Sequence, residues 1–312
     1  MTVAVEIARH RISAASITGR DRALSVAAHA LDGLPPGAVV PSLNETNIAD
    51  PKMVGTALRR LFEGMAIRPR RVALAIPDGV AKISLLRFEQ VPEQAHDLDE
   101  LIRWQVRKAA PFRIEDAQVS YLRGRRDADG STEFVVVMAR RDIIREYEDV
   151  CAAAGAQAGV VDLTTFNVIN SVLAGSRAPA GDWLLVHVAQ EDATMAILRG
   201  EHLVFFRHRS AEGEAGLADL VHQTAMYYED RLSGSGFSRV VLAGAGGTGA
   251  DDRHARRDAE YLREALEQRL GAKVDPIDPR QAATLADRIS ARPDLLDALA
   301  PLVGLLARER AA

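Results

Sequence analysis

Short apolar runs that reach a turn and continue as a second strand-like run recur three times along the chain. The first covers residues 3–17, VAVEIARHRISAASI. The second covers 183–198, WLLVHVAQEDATMAIL, and is followed by Gly200 and the run HLVFFRHR. The third, 239–247, reads RVVLAGAGG, a buried strand entering a Gly-rich turn. Runs this short, rich in Val and Leu and ended by Gly, predict strands. Between them the period changes to that of helices. Residues 51–64 place Met53, Val54, Ala57, Leu58 and Leu61 on one face behind an initial proline. Further helices are predicted over 98–110, stopped by Pro111, over 143–154, stopped by Gly155, and over 163–173, 217–232 and 260–270, the last capped by Gly271. An apolar helix over 295–308 closes the pattern.

Residues 72–154 have a different texture. Strands are predicted over 72–76 and 81–88, then a helix, then strands over 119–123 and 133–139 around the turn signal DADG, and a helix again. That order over ~80 residues suggests a small α+β unit inserted into a larger domain. The stretch 244–258, GAGGTGADDRHARRD, reads as a mobile loop.

Composition narrows the classes. The chain has 312 residues, 47% hydrophobic and 26% charged, enough for two domain-sized cores. A net charge of −4 with interspersed signs gives no field favouring nucleic acid. The densest basic cluster, RGRRD at 123–127, falls in a hairpin turn and reads as a solvated loop. The single cysteine, Cys151, cannot form an internal disulfide and has no His or Asn near it in sequence, so it reads as a packed helix thiol. No run approaches the ~18 apolar residues of a membrane span, and the N-terminus reads as a strand rather than a signal peptide. No His/Glu pair at helical spacing suggests zinc, and no Ser-His-Asp order suggests a hydrolase.

Specific motifs lie in the insert and just after it. The run LIRWQVRKAAPF carries Trp104, Pro111 and Phe112; the run beyond it carries Gly155, Val161, Asp162 and Asn170; and the chain ends in LAPLVGLLARER, small and apolar residues with a late Arg. These resemble the PilM family of type IV pilus assembly proteins, relatives of the divisome protein FtsA among the actin-like ATPases. The resemblance implies an α/β, actin-like fold of two ribonuclease H-like lobes with an α+β insert. Residues 1–76 and 160–180, with the helix 295–308, would form the first lobe. The insert would be 77–159 and the second lobe 181–294. Members of the family lie in the cytoplasm against the inner membrane, held through the short N-terminal tail of a single-pass protein, PilN; self-association is left open.

Actin-like clefts hold ATP and Mg²⁺ between two β-hairpins and a Gly-rich turn. The hairpins usually carry Asp-x-Gly with a later Lys, and Asp-x-Gly-x-x-x-Thr. A carboxylate orients the water around Mg²⁺, Gly lets backbone N–H groups reach phosphate, and Lys neutralises it. Here Glu6 stands for the first Asp, Ala8 for the Gly and Ser13 for the Lys. In the second hairpin His187 and Ala189 replace Asp and Gly, and Thr194 remains. The third element keeps Gly244, Gly246 and Gly247, interrupted by Ala245. The phosphate side therefore reads as lost and the adenine side as undecided, so ATP and Mg²⁺ are disfavoured as cofactors and no metal site is expected. Read without the family, Glu6 is a core-edge carboxylate paired with Arg9 or Arg207, and His187 a satisfied buried imidazole. The expected function is a non-catalytic scaffold that docks a PilN-like tail between the insert and its lobe, near Leu86, Phe88, Trp104 and Phe112. Two rivals are a working actin-like ATPase, with Glu6 on Mg²⁺ water and Thr194 on phosphate, and a component like GspL of type II secretion. GspL normally continues into a membrane span, which this sequence does not show.

Overall fold

A computed structural model of the chain describes residues 2–19, 23–175, 181–189, 191–210, 213–245 and 252–311; at 210, 213–215, 252–258 and 311 it describes backbone only. The chain begins as an antiparallel meander, β1 (Val3–Ile7), β2 (Arg11–Thr18) and β3 (Ser25–Gly33). Helix α1 (Pro51–Gly64) leads to β4 (Arg71–Ile76). Then follow β5 (Ala81–Phe88), α2 (Ala95–Val106), β6 (Ala117–Arg126), β7 (Thr132–Arg140) and α3 (Arg141–Ala153). β8 (Gln157–Leu163) and α4 (Thr164–Gly175) come next. A second meander, β9 (Asp182–Ala189), β10 (Asp192–Arg199) and β11 (His202–Ser210), leads through α5 (Gly213–Leu232) to β12 (Arg239–Ala243). The last elements are α6 (Asp252–Leu270), β13 (Val274–Pro276), β14 (Thr284–Leu285) and α7 (Pro293–Ala311).

Three sheets result. The first has the order β14-β3-β2-β1-β4-β8, with β1, β4 and β8 parallel. The second has the order β11-β10-β9-β12-β13 and repeats the same antiparallel-then-parallel plan. The third, β5-β7-β6, is antiparallel and small.

Each sheet buries apolar faces because its strands alternate or are apolar throughout. Under the first sheet, α1 places Val54, Leu58, Leu61 and Phe62 beside Ile143, Tyr147, Val150 and Cys151 of α3. Asp50 caps α1 by accepting from the N–H groups of Lys52 and Met53, both at 3.0 Å. On the other face of this sheet lie Leu299, Leu302, Val303 and Leu306 of α7. The second sheet packs Leu217, Leu220 and Val221 of α5 and Leu266 of α6 on one face. Its opposite face meets Val168, Ile169 and Val172 of α4 and Ala300 of α7. Helices α4 and α7 are thus layered between the two sheets. They approach so closely at Gly304 that a Cβ there would lie 1.7 Å from the Asn167 carbonyl oxygen. The small sheet has its own core, Leu98, Ile102 and Val106 of α2 against Phe134, Val136 and Met138 of β7.

Several elements differ from the sequence expectations. β3, β8, β13 and β14 were not among the predicted strands. β3 lacks a clean alternation because its run SVAAHALDG mixes Ala with polar residues, and β13 and β14 are too short to show a period. The predicted mobile loop 244–258 contains the start of α6 at Asp252; residues 246–251 lie outside the described residues.

Candidate functional site

Two turns face each other between the lobes, the β1–β2 turn at Ala8–His10 and the β9–β10 turn before Asp192. Around them a cavity is lined by Glu6, Arg11, Asp78, His187, Thr194 and Gly244, among others. Glu6 is almost fully buried on β1, directly across from Ser13 on β2. Its Oε2 accepts from Arg11 Nη2 at 3.0 Å, from Arg11 Nε at 3.2 Å and from Ser13 Oγ at 3.2 Å. The partner of Glu6 is therefore Arg11, neither Arg9 nor Arg207. Arg207 instead lies over the Phe205 and Tyr227 rings, 5.1 and 6.0 Å from their centroids. Residues 6 and 11 flank a tight turn and meet on one face of the β1–β2 pair, which is why the nearer Arg9 is not the partner.

Asp78 stands at the centre of the cleft and was not among the predicted site residues. It follows β4 across Pro77 and is buried. Its carboxylate accepts from the Thr165 N–H at 3.1 Å, from the Thr165 hydroxyl, and from Thr194 Oγ1 at 2.8 Å. The acceptor thus joins the end of β4, the start of α4 and the second sheet. A negative charge at the first turn of α4 also complements the helix dipole. Each hydroxyl has one proton, which it gives to Asp78, so each must accept from its histidine neighbour. Thr165 Oγ1 lies 2.6 Å from His187 Nδ1 and Thr194 Oγ1 lies 3.0 Å from His208 Nδ1. Both rings then carry their proton on Nδ1. Burial holds the His187 pKa below 6.5, opposed by the Asp78 and Glu6 charges. A signal for Asp78 existed in the sequence, a carboxylate one residue beyond the apolar run RVALAI. Nothing local distinguished it from an ordinary Pro-Asp-Gly turn.

The turns themselves are closed by their own chain. The Ala8 N–H is donated to the Arg11 carbonyl at 2.9 Å. Gly244, at φ +79°, packs so close to β9 that a Cβ would lie 1.9 Å from the Val188 carbonyl oxygen, and its N–H is donated to Asp297 Oδ1 of α7 at 3.0 Å. Gly246 and Gly247 lie outside the described residues. Across the cleft Arg9 reaches the second lobe, with Nη2 3.3 Å from Asp192 Oδ2 and Nη1 3.1 Å from Glu191 Oε2. A Mg²⁺-triphosphate needs a carboxylate open to hydrated metal and a row of free N–H groups. Among the described residues the arrangement does not match that requirement, because Glu6 Oε2 is held by Arg11 and Ser13, Asp78 by Thr165 and Thr194, and the Ala8 and Gly244 N–H groups are already donated. No cluster of metal-ligating side chains exists among the described residues.

Of the other predicted residues, Leu86, Phe88 and Phe112 come together against the core of the small sheet, with the Phe88 and Phe134 rings 5.7 Å apart. Trp104 does not join them; it is 68% exposed on α2. On the opposite face of the small sheet, Leu85 and Leu122 are exposed on either side of Val135 in one register row. Asp162 of β8 and Arg308 of α7, two of the motif residues, form an ion pair. Burial raises the Asp162 pKa and Arg308 opposes the rise.

Two matching lobes, each a meander continued by parallel strands, with a cleft between the meander turns, define the actin-like fold. The model of the family described as type IV pilus assembly protein PilM matches residues 4–232, and the chain belongs to that family. Among solved structures, it is similar to the PilM-PilN type IV pilus biogenesis complex, with TM-score 0.81 and 16% identity over 100% of this chain and 98% of the other. The cytoplasmic domain of EpsL, an inner membrane component of the type II secretion system of Vibrio cholerae, gives TM-score 0.51 and 13% identity over 99% and 93%. The ethanolamine utilization protein EutJ from Carboxydothermus hydrogenoformans gives TM-score 0.50 and 10% identity over 98% and 89%. A comparison with curated protein sequences gives no significant match. Among the described residues no helix is long and apolar enough to cross a membrane.

Proposed function

We propose that this chain is a non-catalytic scaffold of a type IV pilus assembly complex, docking the short N-terminal tail of a PilN-like membrane protein and lying against the cytoplasmic face of the inner membrane through it. The observation that supports the non-catalytic part is that Glu6 Oε2 and the Asp78 carboxylate are both held by donors of the protein itself. Family membership supports the pilus assignment, and the likeness to a complex containing PilN supports the partner. The docking site would lie between the small sheet with α2 and the first lobe. Trp104 is its anchor, since a Trp 68% exposed on a helix has apolar area left to bury, whereas Leu86, Phe88 and Phe112 are committed to the core beneath.

The test is calorimetry with a synthetic peptide of the partner's cytoplasmic N-terminus. Binding is expected, weakened by Trp104→Ala by about 2 kcal/mol, the scale of an interface hot spot. The melting temperature of the variant should match the parent. Absence of binding, together with no co-purification of the partner, defeats the docking proposal. In a separate melt with ATP-Mg²⁺, a ligand at a hundred times its Kd adds about 2.7 kcal/mol; a clear shift accompanied by phosphate release would defeat the non-catalytic one.

A further inference from the structure

In an actin-like cleft the turns of the two lobes are gripped from between by a bridging polyanion. Here the same two turns touch each other. Arg9, at the tip of the β1–β2 turn, places its two terminal guanidinium nitrogens on two different carboxylates of the β9–β10 hairpin, Asp192 at 3.3 Å and Glu191 at 3.1 Å. Arg9 and Asp192 are mostly covered, with side-chain exposures of 25% and 18%. The contact is built from residues far apart in the chain and on different sheets, so it depends on the relation of the lobes. Deeper in the cleft a second tie runs between the sheets in the opposite sense: Asp78, just beyond β4, accepts from Thr194 of β10 at 2.8 Å.

We propose that Arg9 with Asp192 and Glu191 is a clasp that sets the angle between the lobes in place of a bound nucleotide. The second lobe supplies the anion and the first lobe the cation, so the charge arrangement that a bridging phosphate would complete is closed within the chain. The inference rests on the cleft not taking ATP. It makes two further statements. The lobes hold one relation without ATP, and high salt loosens that relation, because a partly exposed ion pair is screened.

The full chain is labelled for pulsed electron spin resonance with Glu63→Cys on α1 and Glu264→Cys on α6, both exposed positions on different lobes. Cys151 is buried and does not compete for the label. The expected result is one narrow distance distribution, unchanged by ATP-Mg²⁺. Arg9→Ala and Asp192→Asn should each at least double its width or add a longer distance, and 1 M salt should do the same to the parent. The reversed pair Arg9→Asp with Asp192→Arg should restore the narrow distribution. Distributions identical to the parent in folded Arg9→Ala and Asp192→Asn would overturn the clasp. Calorimetric binding of ATP-Mg²⁺ to the parent would overturn the reading on which it rests, so the two failures are told apart.

Discussion

The hydrogen bond from Thr194 to Asp78 connects the second sheet to the end of β4 across the cleft, and its energy can be isolated. Thr194→Val keeps the branched shape but removes the donor to Asp78 and the acceptor for His208. A hydrogen bond to a charged group contributes about 1.5–3 kcal/mol, and the carboxylate here is buried, so the upper half of that range applies. Asp78→Ala removes the acceptor of all three donors and leaves the Thr165 N–H without its partner; about 3–5 kcal/mol is expected, the scale of breaking a buried charged contact. If the two residues act through one bond, the double variant should lose less than the sum. The coupling energy should be about 1.5–2.5 kcal/mol, above the ~0.5 kcal/mol scatter for independent sites. Urea unfolding of the parent, both single variants and the double variant measures it, provided the denaturant slope stays constant across the four proteins. A coupling energy below that scatter would refute the claim that Asp78 ties the lobes.

Three further outcomes follow from the packing and the buried groups. Gly304→Ala forces α4 and α7 apart, because a Cβ would sit 1.7 Å from the Asn167 carbonyl; overpacking of about 1–3 kcal/mol should exceed the ~1 kcal/mol that Ala gains in a helix, and the melting temperature should fall. His187 is buried among Asp78, Glu6, Arg11 and His208 with its pKa held below 6.5, so the unfolded chain takes up its proton first as pH falls. That contribution is fully present above pH 6.5 and is lost on acidification below it; His187→Asn should flatten the stability profile between about pH 5 and 7, and an unchanged profile would contradict the assignment. Burial pushes the Cys151 thiol up to about 12, so a thiol reagent at pH 8 should modify it only in urea; rapid labelling of the native chain would show that α3 is not packed as described.

The sequence by itself determined a good deal. The β1–β2 and β9–β10 hairpins, the helices 51–64 and 217–232 and the strand 81–88 were legible because each buries a face whose period the residues themselves carry. The replacement of Asp and Gly by Glu6, Ala8, His187 and Ala189 was also plain, since a side chain's chemistry needs no coordinates. Three matters needed the tertiary structure. An amphipathic pattern over α3 says that one face is buried, not which core receives it; packing against α1 decided that. The partner of Glu6 was set by strand register, which brings Arg11 rather than Arg9 to its carboxylate. The central role of Asp78 depends on donors 87 and 116 residues away. Local sequence encodes which residues prefer burial or a turn. It does not encode which distant donors meet an acceptor, because that depends on how two separately folded sheets stack on α4 and α7.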